Sequence, residues 1–208
     1  TDTRSPPPPG GNEVARTWTY IYCNAVNLNP PDPIGAGGED LQKGCPLVGL
    51  LRRVDGPRTD VLDRTTFEYR LADDPGTPKA YRRGERWKTT NALGHVTEVV
   101  AHDGVGRITR WKDANGVVTD TTWHPRGWIA SRTVRANADG SASGNDAITL
   151  FAYDEVGNLT RLTQPDGVYL DYRYDAAHRL DRITDNLGNY VEYTLDAMGH
   201  RTAERTFD

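Results

Sequence analysis

One nine-residue unit recurs at a fixed spacing, and that spacing limits the folds open to the chain. Tyr153-Asp154-Glu155-Val156-Gly157-Asn158-Leu159-Thr160-Arg161 is echoed by Tyr174-Asp175-Ala176-Ala177-His178-Arg179-Leu180-Asp181-Arg182 and again by Leu195-Asp196-Ala197-Met198-Gly199. The starts at 153, 174 and 195 lie 21 residues apart. A second landmark falls between them, Pro165-Asp166-Gly167 and then Asn186-Leu187-Gly188. A short fixed period marks a repeat architecture, in which each unit is one supersecondary element stacked on its neighbours.

The runs between landmarks, Asn158–Gln164 and Val168–Tyr174, are rich in Tyr, Leu, Val and Thr, which suit a pleated, half-buried surface. The intervening Asp-Gly or Asn-x-Gly supplies a left-handed turn position, so each unit reads as a β-hairpin. At the Tyr-Asp-x-x-Gly corner, Asp154 can bond its own downstream backbone and Gly157 can take a positive φ. His178 stands where Gly is expected, at some cost in strain. No window holds a sustained helical pattern of apolar residues, and Gly and Pro interrupt every candidate. One hairpin cannot bury its own apolar face. The expected fold is therefore all-β: tandem antiparallel β-hairpins paired edge to edge in a twisted β-ribbon.

The Tyr153, Tyr174 and Leu195 units resemble the YD repeats of the RHS family. The resemblance runs through Tyr153–Asp208, is degenerate back to Trp87, and extends more weakly into Val48–Tyr69. It implies a ribbon that spirals into a large hollow shell, which in RHS effectors and insecticidal toxin complexes encloses a toxic C-terminal domain. The landmarks it carries are Tyr153, Asp154, Gly157, Gly167, Tyr174, Asp175, Gly188, Asp196 and Gly199. The partners it implies are the rest of a longer parent chain and its C-terminal cargo domain. The location it implies is the exterior or surface of a bacterial cell.

Read in order, the chain divides into a Pro-rich linker at 1–16, divergent units at 17–86 with a Cys-bracketed insertion, and the clearer repeats at 87–208. Ser5-Pro6-Pro7-Pro8-Pro9-Gly10-Gly11 reads as a polyproline spacer. Thr17–Tyr22, Gly49–Val54 and Thr65–Arg70 read as strands. Cys23 and Cys45, the only cysteines, bracket the insertion. A disulfide there would stabilise by about 3 kcal/mol and imply an oxidising compartment; two buried free thiols are the alternative. Asp32-Pro33-Ile34-Gly35 faintly resembles the self-cleavage element of RHS cores, but it precedes the repeats and its flanks do not match. Further on, His102-Asp103-Gly104-Val105-Gly106 fills a corner slot and Trp123 begins the next unit. The surplus before Tyr153 falls in Asn137–Asn145, read as an exposed, flexible hairpin tip.

Little in the sequence points to catalysis. His95, His102, His124, His178 and His200 show no metal-binding spacing, and three of them sit in corner slots. The Asp series recurs because the corner recurs, whereas paired-carboxylate catalysis needs two groups converging on one cleft. No catalytic residue, metal ligand or cofactor is expected, and the chain is read as no enzyme. With 25 basic and 29 acidic side chains and a net charge of −4, broad nucleic-acid binding is disfavoured. Lys79–Lys88 is a local basic cluster with aromatics, read as a solvated strand face rather than a phosphate site. No run is long and apolar enough to span a membrane. Two other readings compete with the shell wall. One is a cell-surface carbohydrate-binding or adhesion module, with Trp111, Trp123 and Trp128 stacking on glycans. The other is self-association through open strand edges.

Overall fold

The computed structural model describes residues 16–24, 45–58 and 60–208, and every regular element in them is a β-strand. In chain order these are β1 (Thr19–Tyr22), β2 (Leu51–Asp55), β3 (Arg64–Tyr69), β4 (Arg86–Thr90), β5 (Val96–His102), β6 (Ile108–Lys112), β7 (Val118–Trp123), β8 (Ile129–Val134), β9 (Ala147–Tyr153), β10 (Leu159–Thr163), β11 (Tyr169–Tyr174), β12 (Leu180–Asp185), β13 (Tyr190–Leu195) and β14 (Arg201–Phe207). They fall into two compact units, residues 1–116 with β1–β6 and residues 117–208 with β7–β14. Within each unit every strand pairs antiparallel with the next one in sequence. The all-β hairpin array expected from the repeat is the observed fold. The expected strand at Thr17–Tyr22 is shorter, starting at Thr19. The polyproline stretch, Asp32-Pro33-Ile34-Gly35 and residues 25–44 of the insertion lie outside the described residues.

The two ends of a hairpin close with the same turn. At Asp154–Asn158 the Asp154 N–H donates to the Asn158 carbonyl (3.0 Å) and the Gly157 N–H to the Asp154 carbonyl (3.3 Å). Gln164–Val168, Asp175–Arg179, Asp185–Asn189 and Asp196–His200 repeat both bonds. This is the three-residue hairpin loop in which a type I turn is followed by a left-handed residue. Gly157 holds that position at φ 102°, and His178 holds it at φ 61°.

The odd period comes from a β-bulge. At each Tyr-Asp end one strand carries an extra residue: Arg173 pairs with Arg182 but Tyr174 with Leu180, and Thr194 pairs with Ala203 but Leu195 with Arg201. Thr122–Trp123 against β8 shows the same shift. At the opposite ends β10–β11 and β12–β13 pair without a shift. A bulge increases local right-handed twist, and here one is built into every repeat.

In β9–β13 the register sorts side chains onto two unlike faces. Phe151, Leu162, Leu170, Tyr172, Ile183 and Val191 share one face. On the other, Arg161 forks onto Asp171 (2.6 and 2.7 Å), Arg173 onto Asp181 (2.8 and 3.0 Å), and Arg182 reaches Glu192 (2.7 Å). Strands contact only their sequence neighbours, so nothing among the described residues forms a second layer on the apolar face. The only buried hydrophobic side chains among them are accordingly Cys23, Cys45, Val99 and Val118.

The tip joining β8 to β9 differs from the loop expected at Asn137–Asn145. Most of it is exposed, but Gly140 is buried against Val118, with 3.0 Å between the Val118 Cγ2 and the place a Cβ would occupy. Arg135 fastens it, bonding Asp120 (2.6 Å) and Asp146 (2.7 Å).

Candidate functional site

The repeated corner is where the landmark residues meet. Asp154 Oδ1 accepts from the N–H groups of Val156 (3.1 Å), Gly157 (2.8 Å) and Asn158 (2.8 Å), while Oδ2 accepts from Asn158 Nδ2 (2.8 Å). Asp175 takes the Ala177 and Arg179 amides and Arg179 Nε (2.7 Å). Asp196 takes those of Met198 and His200, with His200 Nδ1 at 3.0 Å. Asp103 does the same with Val105 and Arg107, and Asp185 with Leu187 and Asn189. The signature is an Asp whose fifth-position partner caps its second oxygen. That fifth position, Asn158, Arg179, Asn189 or His200, was not singled out in the sequence, although its polar character recurs there.

These bonds set the electrostatics. The Arg179 side chain and amide hold Asp175 below the ordinary carboxylate range, and the Asn189 side chain does so for Asp185. At Asp196 the His200 amide is the largest cause. At Asp154 and Asp103 desolvation pushes upward, but the converging donors outweigh it and leave both low. A carboxylate committed to three or four donors is a poor base and a poor nucleophile. Among the described residues no group of three or more His, Cys, Asp or Glu could hold a metal ion.

The Tyr of each Tyr-Asp pair has a separate task. Pairing of β10 with β11 is confined to Arg161–Thr163 against Tyr169–Asp171, so the two strands part toward the Tyr-Asp edge. Tyr174 closes that split: its hydroxyl donates to the Leu159 carbonyl at 2.9 Å. Tyr69 closes the β2–β3 split in the same way, donating to the Leu51 carbonyl at 2.6 Å. In each case the last residue of one strand reaches the first residue of the strand before it. Burial raises the pKa of both phenols. Tyr153 holds the corresponding place on β9, but there the neighbour is Trp128, with ring centroids 5.1 Å apart. His124 also stacks on Trp128, 5.0 Å away and nearly parallel to it.

Successive corners also touch along this edge. Trp128 lies over Gly157, Arg126 Nη1 donates to the Glu155 carbonyl, and Arg179 Nη1 donates to the Asp196 carbonyl at 2.8 Å. Of the residues expected to stack on glycans, Trp111 is in the first unit and Trp123 and Trp128 are in the second, and all three are half-buried. The side chains of the basic cluster each have a separate contact. Lys79 pairs with Asp73, Arg83 donates to the Pro46 carbonyl, Arg82 to the Asp103 carbonyl, and Lys88 lies over Trp87. Cys23 and Cys45 are joined by a disulfide, with Cα atoms 5.6 Å apart.

Comparison with known proteins agrees with this geometry. The RHS repeat family model matches residues 102–142 and 153–185, which hold several of these corners. No curated protein matches the chain. Among solved structures, a TcdB2-TccC3 complex without its hypervariable C-terminal region is similar over 81% of this chain and 9% of that one, at 16% identity and TM-score 0.52. That likeness is one of fold. A second TcdB2-TccC3 structure matches over 77% and 10% at 15% identity and TM-score 0.43. A Photorhabdus luminescens Tc holotoxin pore with a substituted TccC3 matches over 95% and 13% at 13% identity and TM-score 0.46. The chain thus spans only about a tenth of the length of the solved chains it resembles. The corners, their spacing and the family match agree over residues 102–142 and 153–185, which are similar to RHS repeats.

Proposed function

We propose that this chain is a wall segment of a β-shell that encloses a toxin or effector cargo domain, and that it has no chemistry of its own. The observation that carries the reading is the one-layer sheet of the second unit. Its Phe151, Leu162, Leu170, Tyr172, Ile183 and Val191 face is apolar and uncovered, and its opposite face is laced with Arg–carboxylate pairs. An isolated domain covers such a face with a second layer, whereas a wall segment can turn it toward an enclosed space. The corner carboxylates, each spent on its own turn, support a structural role. The parent chain and its cargo are the partners in this reading, and the location is extracellular or on a bacterial surface.

Limited proteolysis of the full-length parent tests the proposal. The expected early cuts fall in Pro6–Gly11, between Cys23 and Cys45, and in Ala138–Asn145, with the hairpins and the cargo protected. Early cleavage within Leu159–Tyr174, or a cargo cut as fast with the wall as without it, would overturn the reading. The glycan-binding alternative draws less support, because Trp128 is already packed against His124, Tyr153 and Gly157.

A further inference from the structure

The split between β8 and β9 is left open by its own tyrosine. Pairing of these strands is confined to residues 131–134 against 147–150, so residues 129 and 130 part from 151–153 toward the Tyr-Asp edge. Tyr153 ends β9, the slot from which Tyr69 and Tyr174 donate to a carbonyl across their splits. Its ring packs on Trp128 instead, and its hydroxyl makes no hydrogen bond among the described residues. A cavity of about 360 Å³ remains, with Trp128, Ala130, Phe151 and Tyr153 in its lining. That volume lies within the usual range of ligand pockets, roughly 300–1,000 Å³. Continuing the register of Ser131 with Leu150 sets Ala130 opposite Phe151 and Trp128 opposite Tyr153. Side chains alternate along a strand, so these four belong to the apolar face that holds Phe151. Ala130, a single methyl group opposite a phenyl ring, leaves the space unfilled.

On the basis of the wall reading, we propose that this cavity anchors the enclosed cargo, taking a bulky apolar side chain of an extended cargo segment whose peptide groups meet the Tyr153 hydroxyl and the Trp128 indole N–H. The lining selects this kind of occupant. Arg126, Asp154 and Glu155 bring both signs of charge to the cavity, so neither a cation nor an anion is favoured. The Tyr153 hydroxyl and the Trp128 indole N–H have no hydrogen bond among the described residues. A hydrocarbon chain would cover both groups and leave them unpaired, which is costly. A sugar needs an open ring face, and Trp128 already packs against His124, Tyr153 and Gly157. A polypeptide meets each condition. Its backbone is neutral, every residue other than proline offers one donor and one acceptor, and an aromatic or aliphatic side chain fills the space beside Ala130.

Photocrosslinking in the full-length parent tests this. The probe, p-benzoylphenylalanine, is placed at Glu155 in the cavity lining, at Val191 elsewhere on the apolar face, and at Thr163 on the opposite face. The Glu155 probe is expected to capture one or a few cargo segments rich in aromatic or large aliphatic residues, several-fold more than the Thr163 probe does. Ala130→Leu, which fills the cavity, is expected to lower that capture several-fold and to leave capture from Val191 and the protease resistance of the cargo unchanged. Tyr153→Phe, which keeps the ring and removes the hydroxyl, is expected to lower it as well. If the cargo stays protected, capture from Glu155 no greater than from Thr163, or capture that survives both substitutions, would overturn the anchor and leave the wall standing. A cargo cut as fast with the wall as without it would overturn both.

Discussion

Trp128 lies directly across Gly157: a Cβ built on that glycine would stand 2.5 Å from the indole Cζ2 and 2.9 Å from Cε2. The two belong to successive corners, so the packing of one repeat dictates the residue type in the next. Gly157 also sits at φ 102°, where an L side chain is strained. Gly157→Ala is therefore expected to destabilise the second unit by roughly 2 kcal/mol or more, from the backbone cost together with overpacking against a ring that also contacts His124 and Tyr153. Urea unfolding followed by tryptophan fluorescence reads the change. A loss under about 0.5 kcal/mol would show that the contact does not constrain the corner.

One repeat later the same position is His178, and its neighbour is small. Asn158 stands toward it in place of a Trp or Arg, with Nδ2 3.3 Å from His178 Nδ1. There is room for a side chain, but the left-handed backbone remains, at φ 61°. Relieving it is worth about 1 kcal/mol, partly offset by the lost contact and by the freer unfolded chain. His178→Gly is expected to raise stability slightly, opposite in sign to Gly157→Ala. Measured in the same urea titration, a clear loss would mean that the Asn158 contact outweighs the strain.

The corners were readable before any coordinates because their chemistry is local. An Asp followed three residues later by Gly determines its own turn, and the hairpin array follows from repeating it. The bulge was not readable. Thr160, Asp181 and Thr202 occupy it or its equivalents, and these residues share no signature, because a bulge is a property of register between two strands. The role of the repeat tyrosine was hidden for a related reason. Its partner is a main-chain carbonyl fifteen positions away for Tyr174 and eighteen for Tyr69, and a carbonyl leaves no mark on the sequence.

Tyr174→Phe isolates that task. It removes the donor to the Leu159 carbonyl and leaves the ring, so the expected cost is about 1 kcal/mol, with faster amide exchange at the start of β10. Tyr153→Phe is the internal comparison, because the Tyr153 ring stacks on Trp128 and its hydroxyl makes no hydrogen bond among the described residues. Its cost should be less than half as large. Equal costs would show that the hydroxyl bond is not what closes the split.

The disulfide joins residues separated by 22 positions, and both sulfur-bearing side chains are buried, Cys23 at 1% and Cys45 at 5% exposure. It stands beside β1, the first unit's shortest strand, where the Cys23 N–H donates to the Leu50 carbonyl at 2.8 Å. Replacing both cysteines with serine is expected to cost about 3 kcal/mol and to free β1 from β2 first. Thermal unfolding with and without reductant, together with exchange in peptides covering 16–24, reads this. Unchanged protection of β1 after reduction would show that strand pairing alone holds it.

The corner carboxylates make a last prediction, in acid. Asp103, Asp154, Asp175, Asp185 and Asp196 are all depressed in the folded state by donors that exist only there. Each is therefore more readily protonated when unfolded, so the unfolded chain binds more protons across the acid range, and stability falls as pH falls. The contribution is complete above the unfolded aspartate value of about 3.9 and is lost as pH drops through the lower folded values. Unfolding midpoints should be flat in the second unit from pH 7 to about pH 5 and decline steeply below pH 4. Asp154→Asn keeps one acceptor oxygen for the corner amides but removes the titration, so it should lower stability at pH 7 and flatten the acid limb. The two effects are tied: an acid limb as steep in Asp154→Asn and Asp175→Asn as in the parent chain would mean that the corners are held by backbone geometry rather than by their carboxylates.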